Sequence, residues 1–458
     1  MLFSSNVFLF AYLPIVLLLY FISPRWLRNP VLLVVSLFFY GWGEPVYLFL
    51  MIGTILVDYG FGAWIHARHS QGKSAKLVLA TGIATNLLIL GYFKYAGFLA
   101  QQLLPLFPDL KVPQITLPIG ISFYIFQSMS YIIDVYRKDA PVQKNVLTLG
   151  TYVTLFPQLI AGPIVRYGDV ADQLECRKEN ISDFASGVIL FLLGLGKKVL
   201  LANPMGNLWN LLQAQPGTAA AWVGIAAYAL QIYFDFSGYS DMARGLGRML
   251  GFEFLENFNY PYISRSITEF WRRWHISLST WFKEYVYIPL GGNRHGIIRQ
   301  IGNILIVWAL TGLWHGASWN FVLWGLYYAL LLIVEKTFLL RYLQKLPAAV
   351  GHIYATVSVL LGWALFYFED LGALGSFLAK LFVPAASTAQ GTSLMLAFLP
   401  ILAVSIFAAT PLAKGFLAAR AEKSFVRWGR LAVAAVLMVL CVAALASQSY
   451  NPFIYFRF

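Results

Sequence analysis

Long apolar runs separated by short polar connections dominate the pattern of hydrophobic and polar positions along this chain. Two of the clearest are "NVFLFAYLPIVLLLYFI" (6–22) and "GRLAVAAVLMVLCVAALA" (429–446). A helix needs about 20 apolar residues to cross the hydrocarbon layer of a membrane. The pattern therefore predicts an all-α polytopic membrane protein. The predicted spans lie near residues 7–23, 30–42, 46–64, 77–99, 113–133, 184–203, 218–236, 300–314, 318–336, 352–368, 392–412 and 430–447.

Three parts of this pattern do not fit a plain crossing. The runs at 30–42 and 300–314 are short for a spanning helix, which favours broken or re-entrant helices there. Two prolines interrupt "TYVTLFPQLIAGPIVRY" (151–167), and we expect this segment to be re-entrant. Non-helical backbone persists at membrane depth only where protein or a water-filled cavity satisfies its polar groups.

Lysine and arginine are distributed unevenly between the connections. With the N-terminus outside, the predicted cytoplasmic connections hold 27 of the 33 basic residues. Cytoplasmic loops carry such an excess, so this orientation is favoured. The first run lacks a basic start and a cleavage site, and we expect it to be a retained span. Residues 1–458 are predicted to form one integral membrane domain, with an aromatic tail (448–458) on the extracytoplasmic side.

The composition supports the assignment to a membrane and reduces the range of ligands that we expect. The chain is 59% hydrophobic and only 12% charged, whereas a soluble domain is about 25% charged. The net charge of +13 is explained by the basic residues that anchor the cytoplasmic loops, so we expect no nucleic-acid partner. Two cysteines make no zinc site, and we expect neither a metal nor a permanently bound cofactor.

Residues 237–299 are too polar to span and too apolar for an ordinary loop, and we expect an amphipathic segment on the cytoplasmic side. Within it, "SITEFWRRWHISLSTWFKEY" (266–285) places its aromatic residues at helical spacing, which predicts one interfacial helix. His275 falls on its buried flank. Arg265, Arg272 and Arg273 have two interpretations: they contact anionic membrane lipid, or they bind a phosphate-bearing donor.

Two histidines, His275 and His315, have apolar surroundings in the sequence. Desolvation favours the neutral imidazole, which can take a proton from a hydroxyl group as it attacks an activated carbonyl. The alternative for His315 is an inert ring hydrogen-bonded to Asn320 or Ser318 between helices. Asp235, at the end of a predicted span, is by default a cap or the partner of a basic residue.

Four ordered motifs resemble the membrane-bound O-acyltransferase (MBOAT) family, in particular its bacterial alginate O-acetyltransferase branch. The motifs are "FPQLIAGPIVRY" (156–167), "QIYFDFSGYSDMARGLGRMLGFEFLENFNYPY" (231–262), "EFWRRWHISLSTWFKEYVYIPLGGNR" (269–294) and "LTGLWHGASWNFVLWG" (310–325). The resemblance implies an MBOAT fold, in which about 11–12 helices enclose a funnel with the family's catalytic histidine at its base. That histidine corresponds to His315, and the supporting histidine of bacterial members corresponds to His275.

The resemblance also implies substrates and partners. We expect an acetyl donor, acetyl-CoA, to enter from the cytoplasm at Arg265, Arg272 and Arg273. The acetyl group then passes toward hydroxyls of an exported polysaccharide, alginate or peptidoglycan, at the bacterial cytoplasmic membrane. A secreted SGNH-type acetyltransferase is the expected partner. The tail "SQSYNPFIYFRF" (447–458) resembles C-terminal tyrosine motifs of related acylation systems, which makes Tyr455 a candidate acyl relay; the alternative is an interfacial anchor.

Two other functions are compatible with the sequence. One is an acyltransferase that takes D-alanine from a carrier protein, because its core has the same residues. The other is a transporter with a protonatable site near the membrane midplane. Two features count against the transporter: no inverted repeat is visible, and the predicted spans contain few acidic residues.

Overall fold

The structure, a computed structural model, describes residues 1–160, 162–412, 424–447 and 453–454. Within these ranges the regular elements are all helices. In chain order they are α1 (Phe8–Ile22), α2 (Arg28–Gly41), α3 (Tyr47–Ser70), α4 (Lys76–Leu103), α5 (Ile121–Arg137), α6 (Val146–Thr154), α7 (Phe156–Leu159), α8 (Tyr167–Glu175), α9 (Ile181–Leu212), α10 (Thr218–Met249), α11 (Ile267–Arg273), α12 (Ile276–Phe282), α13 (Gly296–His315), α14 (Trp319–Leu343), α15 (Ala348–Tyr367), α16 (Leu371–Phe382), α17 (Ala389–Ala408) and α18 (Ser424–Ser447).

The all-α polytopic prediction is confirmed. Eight helices of the described chain are long and apolar enough to cross a membrane: α3, α4, α9, α10, α13, α14, α15 and α17. Three shorter apolar helices, at Phe8–Ile22, Leu371–Phe382 and Leu431–Ser447, add to these. Many leucine, valine and phenylalanine side chains on these helices are exposed, which in a membrane places them against lipid rather than water.

The chain forms two compact units. The first comprises 1–191 and 242–255, and the second comprises 192–241 and 256–458. The first unit has an aromatic core in which the Phe156 ring lies 5.5 Å from that of Tyr12 and 5.7 Å from that of Phe39. It also buries a polar pair, Asn86 Nδ2 donating to Asp58 Oδ1 at 2.7 Å.

In the second unit, α13 and α14 form a closely packed antiparallel pair. A Cβ atom added at Gly312 would overlap the Phe321 carbonyl, and one added at Gly325 would overlap the Trp308 carbonyl. Small residues at a helix interface allow this approach of the two backbones in a membrane. The pair fixes the end of α13, where His315 lies, against the start of α14.

The structure corrects several helix boundaries. The span predicted at 300–314 was expected to be a broken or re-entrant helix, but α13 is one helix of 20 residues, because the preceding polar residues also belong to it. The span predicted at 218–236 continues to Met249 in α10, so the predicted cytoplasmic segment 237–299 begins inside a helix. Ser237 and Ser240 are buried there, so their polarity does not end the helix. α16 was not predicted.

The other two segments have different outcomes. α2 is one unbroken helix of 14 residues, so it is short for a crossing but not broken, and a re-entrant path for it stays a prediction. Residues 151–167 are interrupted, because α6 ends at Thr154 and α7 is a single turn that contains Pro157. A re-entrant path for this segment and the orientation of the chain stay predictions.

Candidate active site

The segment predicted as one helix over 266–285 is two short helices. α11 ends at Arg273 and α12 begins at Ile276. Between them His275 adopts φ +44° and ψ +54°, the left-handed region that residues other than glycine rarely occupy. The single-helix prediction is therefore wrong.

Hydrogen bonds to an extended neighbouring segment explain this break. The Asn259 N–H donates to the Arg273 carbonyl at 2.9 Å, and the Ile276 N–H donates to the Asn257 carbonyl at 3.0 Å. Backbone groups that a continuous helix pairs internally are thus paired with another part of the chain. The hydrophobic pattern contains no information about these long-range bonds.

The start of α11 is fixed from α14. The carboxylate of Glu335 accepts hydrogen bonds from the backbone N–H groups of Ile267 at 2.6 Å and Thr268 at 2.8 Å. The Ser266 hydroxyl caps the same end by accepting from the Glu269 N–H at 3.0 Å. Three of the donors that a helix start leaves unpaired are satisfied in this way.

The imidazole of His275 is buried among aromatic rings. Its centroid lies 4.6 Å from that of Phe236 and 6.0 Å from that of Trp314. Its Nδ1 lies 3.2 Å from Asn257 Oδ1. Burial lowers the pKa of His275 to about 3, so the ring is neutral at physiological pH.

His315 is the last residue of α13 and is also buried. Its ring lies 4.9 Å from Trp324 and 5.2 Å from Phe366, centroid to centroid. Gly316 follows, and a Cβ atom there would overlap the Phe321 ring, so glycine is needed for this packing. Asn320, a suggested partner of His315, donates from Nδ2 to the Phe366 carbonyl at 3.1 Å.

His275 and His315 line one cavity of about 240 Å³. Most of its wall is apolar: Trp271, Trp274, Leu278, Phe282, Ile304, Val307, Trp308 and Leu332. Three cationic side chains, Arg272, Lys283 and Lys336, also line it. The structure therefore brings together two imidazoles, an apolar surface and a group of positive charges.

A second cavity of about 600 Å³ adjoins the first. The two share Arg272, Lys283, Tyr287 and Lys336 as lining residues. The second adds Arg294 from the "GGNR" turn, so four cationic residues lie around it. We call Arg272, Lys283, Arg294 and Lys336 the cationic cluster.

The predicted arginines occupy different places. Arg272 lines both cavities. Arg273 instead pairs with Glu269, at 2.9 Å from Nη2 to Oε1, and donates to the Asn259 carbonyl at 3.1 Å. Neither Arg273 nor Arg265 is among the described residues that line the two cavities.

The part of the chain that contains both histidines matches a known family. Residues 137–368 match the sequence model of the membrane-bound O-acyltransferase family. The chain belongs to this family. It is accordingly an acyltransferase and a multi-pass membrane protein, and His275, His315 and the cationic cluster all lie within the matched residues.

Similar proteins extend the comparison over the whole chain. The chain is 41% identical to the probable alginate O-acetylase AlgI of Azotobacter vinelandii, with 100% of each chain covered. It is 32% identical to the peptidoglycan O-acetyltransferase of Helicobacter pylori, over 81% of this chain and 78% of the relative. It is 30% identical to the teichoic acid D-alanyltransferase of Bacillus subtilis, over 54% of this chain and 69% of the relative.

The C-terminal tail of this MBOAT protein is described only in part. Tyr455, the predicted relay, lies outside the described residues. Just before it, the Ile454 N–H donates to Asp235 Oδ2 at 2.7 Å, and Asp235 pairs with Lys198. The Phe453 ring lies 5.8 Å from that of Phe236, which contacts His275.

Sequence reasoning missed three members of the cationic cluster. These residues are Lys283, Arg294 and Lys336. Each lies in a different element, so no local spacing connects them. Asn257 was missed for the same reason, although it lies within the "ENFNYPY" stretch of a recognised motif.

Proposed function

We propose that this acyltransferase transfers acetyl groups from cytoplasmic acetyl-CoA toward hydroxyl groups of an exported polysaccharide of the alginate or peptidoglycan type. One observation carries the proposal: two buried histidines share an apolar cavity with three cations, Arg272, Lys283 and Lys336, and the adjoining cavity adds Arg294. The names of the relatives that match over most of their length agree with polysaccharide O-acetylation. The proposed location is the bacterial cytoplasmic membrane.

The cationic cluster is suited to the charged end of the donor. Coenzyme A carries three phosphate groups, and charge-assisted hydrogen bonds from arginine and lysine are the strong contacts for phosphate oxygens. The predicted orientation places these residues on the cytoplasmic side, where acetyl-CoA is made.

The apolar cavity is suited to the thioester end. Two residues that line it, Trp271 and Thr268, each have a buried side-chain atom, Nε1 and Oγ1, with no hydrogen-bond partner among the described residues. Both groups can donate a hydrogen bond, and the arm of coenzyme A carries amide carbonyls that accept one. The apolar walls exclude water, which limits hydrolysis of the thioester.

In the proposed reaction, the imidazole of His315 acts as general base. It takes the proton of an attacking hydroxyl as the oxygen bonds to the thioester carbonyl carbon. The carbon–sulfur bond breaks, and the imidazolium returns the proton to the leaving thiolate. The products are an acetyl ester, coenzyme A and a neutral imidazole, so atoms and charge balance.

Tyr455 is proposed as the first acceptor of the acetyl group. The anchored Ile454 directly precedes it in the chain, and Phe453 packs near the aromatic wall behind His275. A secreted SGNH-type acetyltransferase would then pass the group to the polysaccharide. Replacing Tyr455 by phenylalanine is expected to abolish acetyl-tyrosine in tail peptides analysed by mass spectrometry. Undiminished polysaccharide acetylation by this variant would show that the tail serves only as a membrane anchor.

A donor comparison tests the reaction itself. Purified protein in lipid nanodiscs is given acetyl-CoA or a D-alanyl carrier protein, and thiol release is followed. We expect release from acetyl-CoA alone. Release only from the carrier would favour the D-alanyltransferase function, in line with the more distant relatives, and release from neither would overturn both acyl-donor assignments.

A further inference from the structure

The side chain of Asn257 contacts residues on both sides of the bend at His275. It is buried, and its Oδ1 lies 3.2 Å from His275 Nδ1, 3.0 Å from the Ser277 backbone nitrogen and 3.0 Å from Ser277 Oγ. Its backbone carbonyl also accepts the Ile276 N–H at 3.0 Å. Asn257 thereby fixes both the backbone that follows His275 and the imidazole ring of His275.

The orientation of the Asn257 amide follows from its neighbours. A backbone N–H can only donate, so the atom that faces the Ser277 nitrogen has to be the amide oxygen. The same oxygen faces His275 Nδ1. Two lone pairs facing each other repel, so Nδ1 carries the proton and donates it to Asn257 Oδ1.

This arrangement leaves the other ring nitrogen as a base. A neutral imidazole has one proton, and if Nδ1 holds it, Nε2 has the free lone pair. His275 Nε2 is buried and has no hydrogen-bond partner among the described residues. The ring that carries it lines the cavity together with His315. Buried polar atoms are normally paired, so an unpaired acceptor indicates a place for a ligand donor.

We infer that Asn257 is a positioning residue that fixes the tautomer of His275, so that Nε2 is a bare acceptor that orients a second hydroxyl donor of the bound substrates, while His315 takes the proton of the attacking hydroxyl. The contact between Nε2 and a hydroxyl group rests on the proposed function. The assignment of the His275 tautomer does not depend on it. The assignment adds a second kind of recognition to the cavity that Arg272, Lys283 and Lys336 also line. His275 Nε2 accepts hydrogen bonds from neutral O–H groups and repels anionic oxygen atoms. The cationic cluster attracts anionic oxygen atoms.

Nitrogen NMR tests the tautomer directly. Protein with ¹⁵N-labelled histidine is reconstituted in lipid, and the His275 signals are assigned by their loss in His275→Gln. The ¹⁵N shifts distinguish a protonated ring nitrogen from a bare one. We expect a protonated Nδ1 and a bare Nε2 at neutral pH; a protonated Nε2 in the intact protein would overturn the inference.

Two substitutions test the role of Asn257 in the reaction. Asn257→Leu removes the acceptor, and we expect kcat for thiol release to fall on the order of 10²–10⁴-fold while KM for acetyl-CoA changes little. Asn257→Asp keeps an oxygen facing both Nδ1 and the Ser277 N–H, and we expect it to retain most of the activity. Equal loss in both variants, with both correctly inserted, would show that the amide acts only in folding.

Ser277→Ala is the matched control, because it removes one donor to the same oxygen and leaves the contact with Nδ1. We expect its His275 signals to match those of the unchanged protein. If Asn257→Leu does not fold, the spectrum of the unchanged protein still decides the tautomer. A bare Nε2 in a protein that does not consume acetyl-CoA would refute the proposed function alone, and a protonated Nε2 in an active protein would refute this inference alone.

Discussion

His275 and His315 line the same cavity, and the indole of Trp314 lies near both rings. Its centroid is 6.0 Å from that of His275 and 5.0 Å from that of His315. One histidine comes from the bend between α11 and α12, and the other ends α13. Two bases held by separate elements can act on one substrate only if both elements are fixed, and the following predictions test the bases and their supports.

Replacing His315 by alanine is expected to reduce acetyl transfer by at least 10²-fold, because a general base typically contributes 10²–10⁴-fold. Transfer is measured as thiol release from acetyl-CoA by purified protein. Comparable yield in the membrane fraction and an unchanged size-exclusion profile establish that the variant inserts. His66→Ala is the control, because His66 is exposed on α3; normal acetylation by His315→Ala would refute the assignment.

Removing a cation of the cluster is expected to weaken donor binding without slowing the chemical step. Arg272→Gln and Lys336→Gln should each raise KM for acetyl-CoA about tenfold, since a charge-assisted hydrogen bond contributes about 1.5–3 kcal/mol before screening by solvent. Arg273→Gln is the control, because Arg273 pairs with Glu269. A similar rise in all three variants, or a change in kcat alone, would contradict a phosphate site.

The low pKa of His275 predicts a dependence of stability on pH. The ring has a pKa of about 3 in the folded protein and about 6.5 when exposed, so below pH 6.5 the unfolded chain binds the extra proton. The contribution of the neutral His275 ring to the free energy of unfolding is therefore complete above pH 6.5. It decreases by about 1.4 kcal/mol per pH unit as the pH falls from 6.5 toward 3.

Thermal unfolding in detergent between pH 7 and pH 4 measures this effect. The unfolding midpoint of the unchanged protein should fall more steeply with decreasing pH than that of His275→Gln, which cannot take up the proton. Parallel curves for the two proteins would show that the ring is not desolvated in solution.

Glu335 is expected to be a support of the site rather than a participant in the reaction. Glu335→Ala leaves the N–H groups of Ile267 and Thr268 without their acceptor, and we expect a loss of about 3 kcal/mol of stability. Glu335→Gln keeps one acceptor oxygen and should lose less. Unfolding midpoints followed by tryptophan fluorescence give the comparison, and an alanine variant as stable as the unchanged protein would contradict this role.

Much of the fold could be predicted from the sequence because a spanning helix has to be apolar along its length. α17, for example, was predicted at 392–412 and observed at Ala389–Ala408. Its side chains are mostly exposed to the surroundings, so composition alone decides its location. α10 was cut short in the prediction because its second half is polar, and that half stays helical because Ser237 and Ser240 are buried within protein.

The sequence by itself determined the helical membrane class, the family motifs and the two histidines in apolar surroundings. Only the tertiary structure decided that His275 lies at a break rather than on a helix face, because that break depends on bonds to Asn257 and Asn259, distant in the chain. It also decided which cations face the cavities. Local hydrophobic patterning indicates whether a residue is desolvated. Hydrogen bonds and charge clusters between separate segments depend on the positions of those segments in the folded chain.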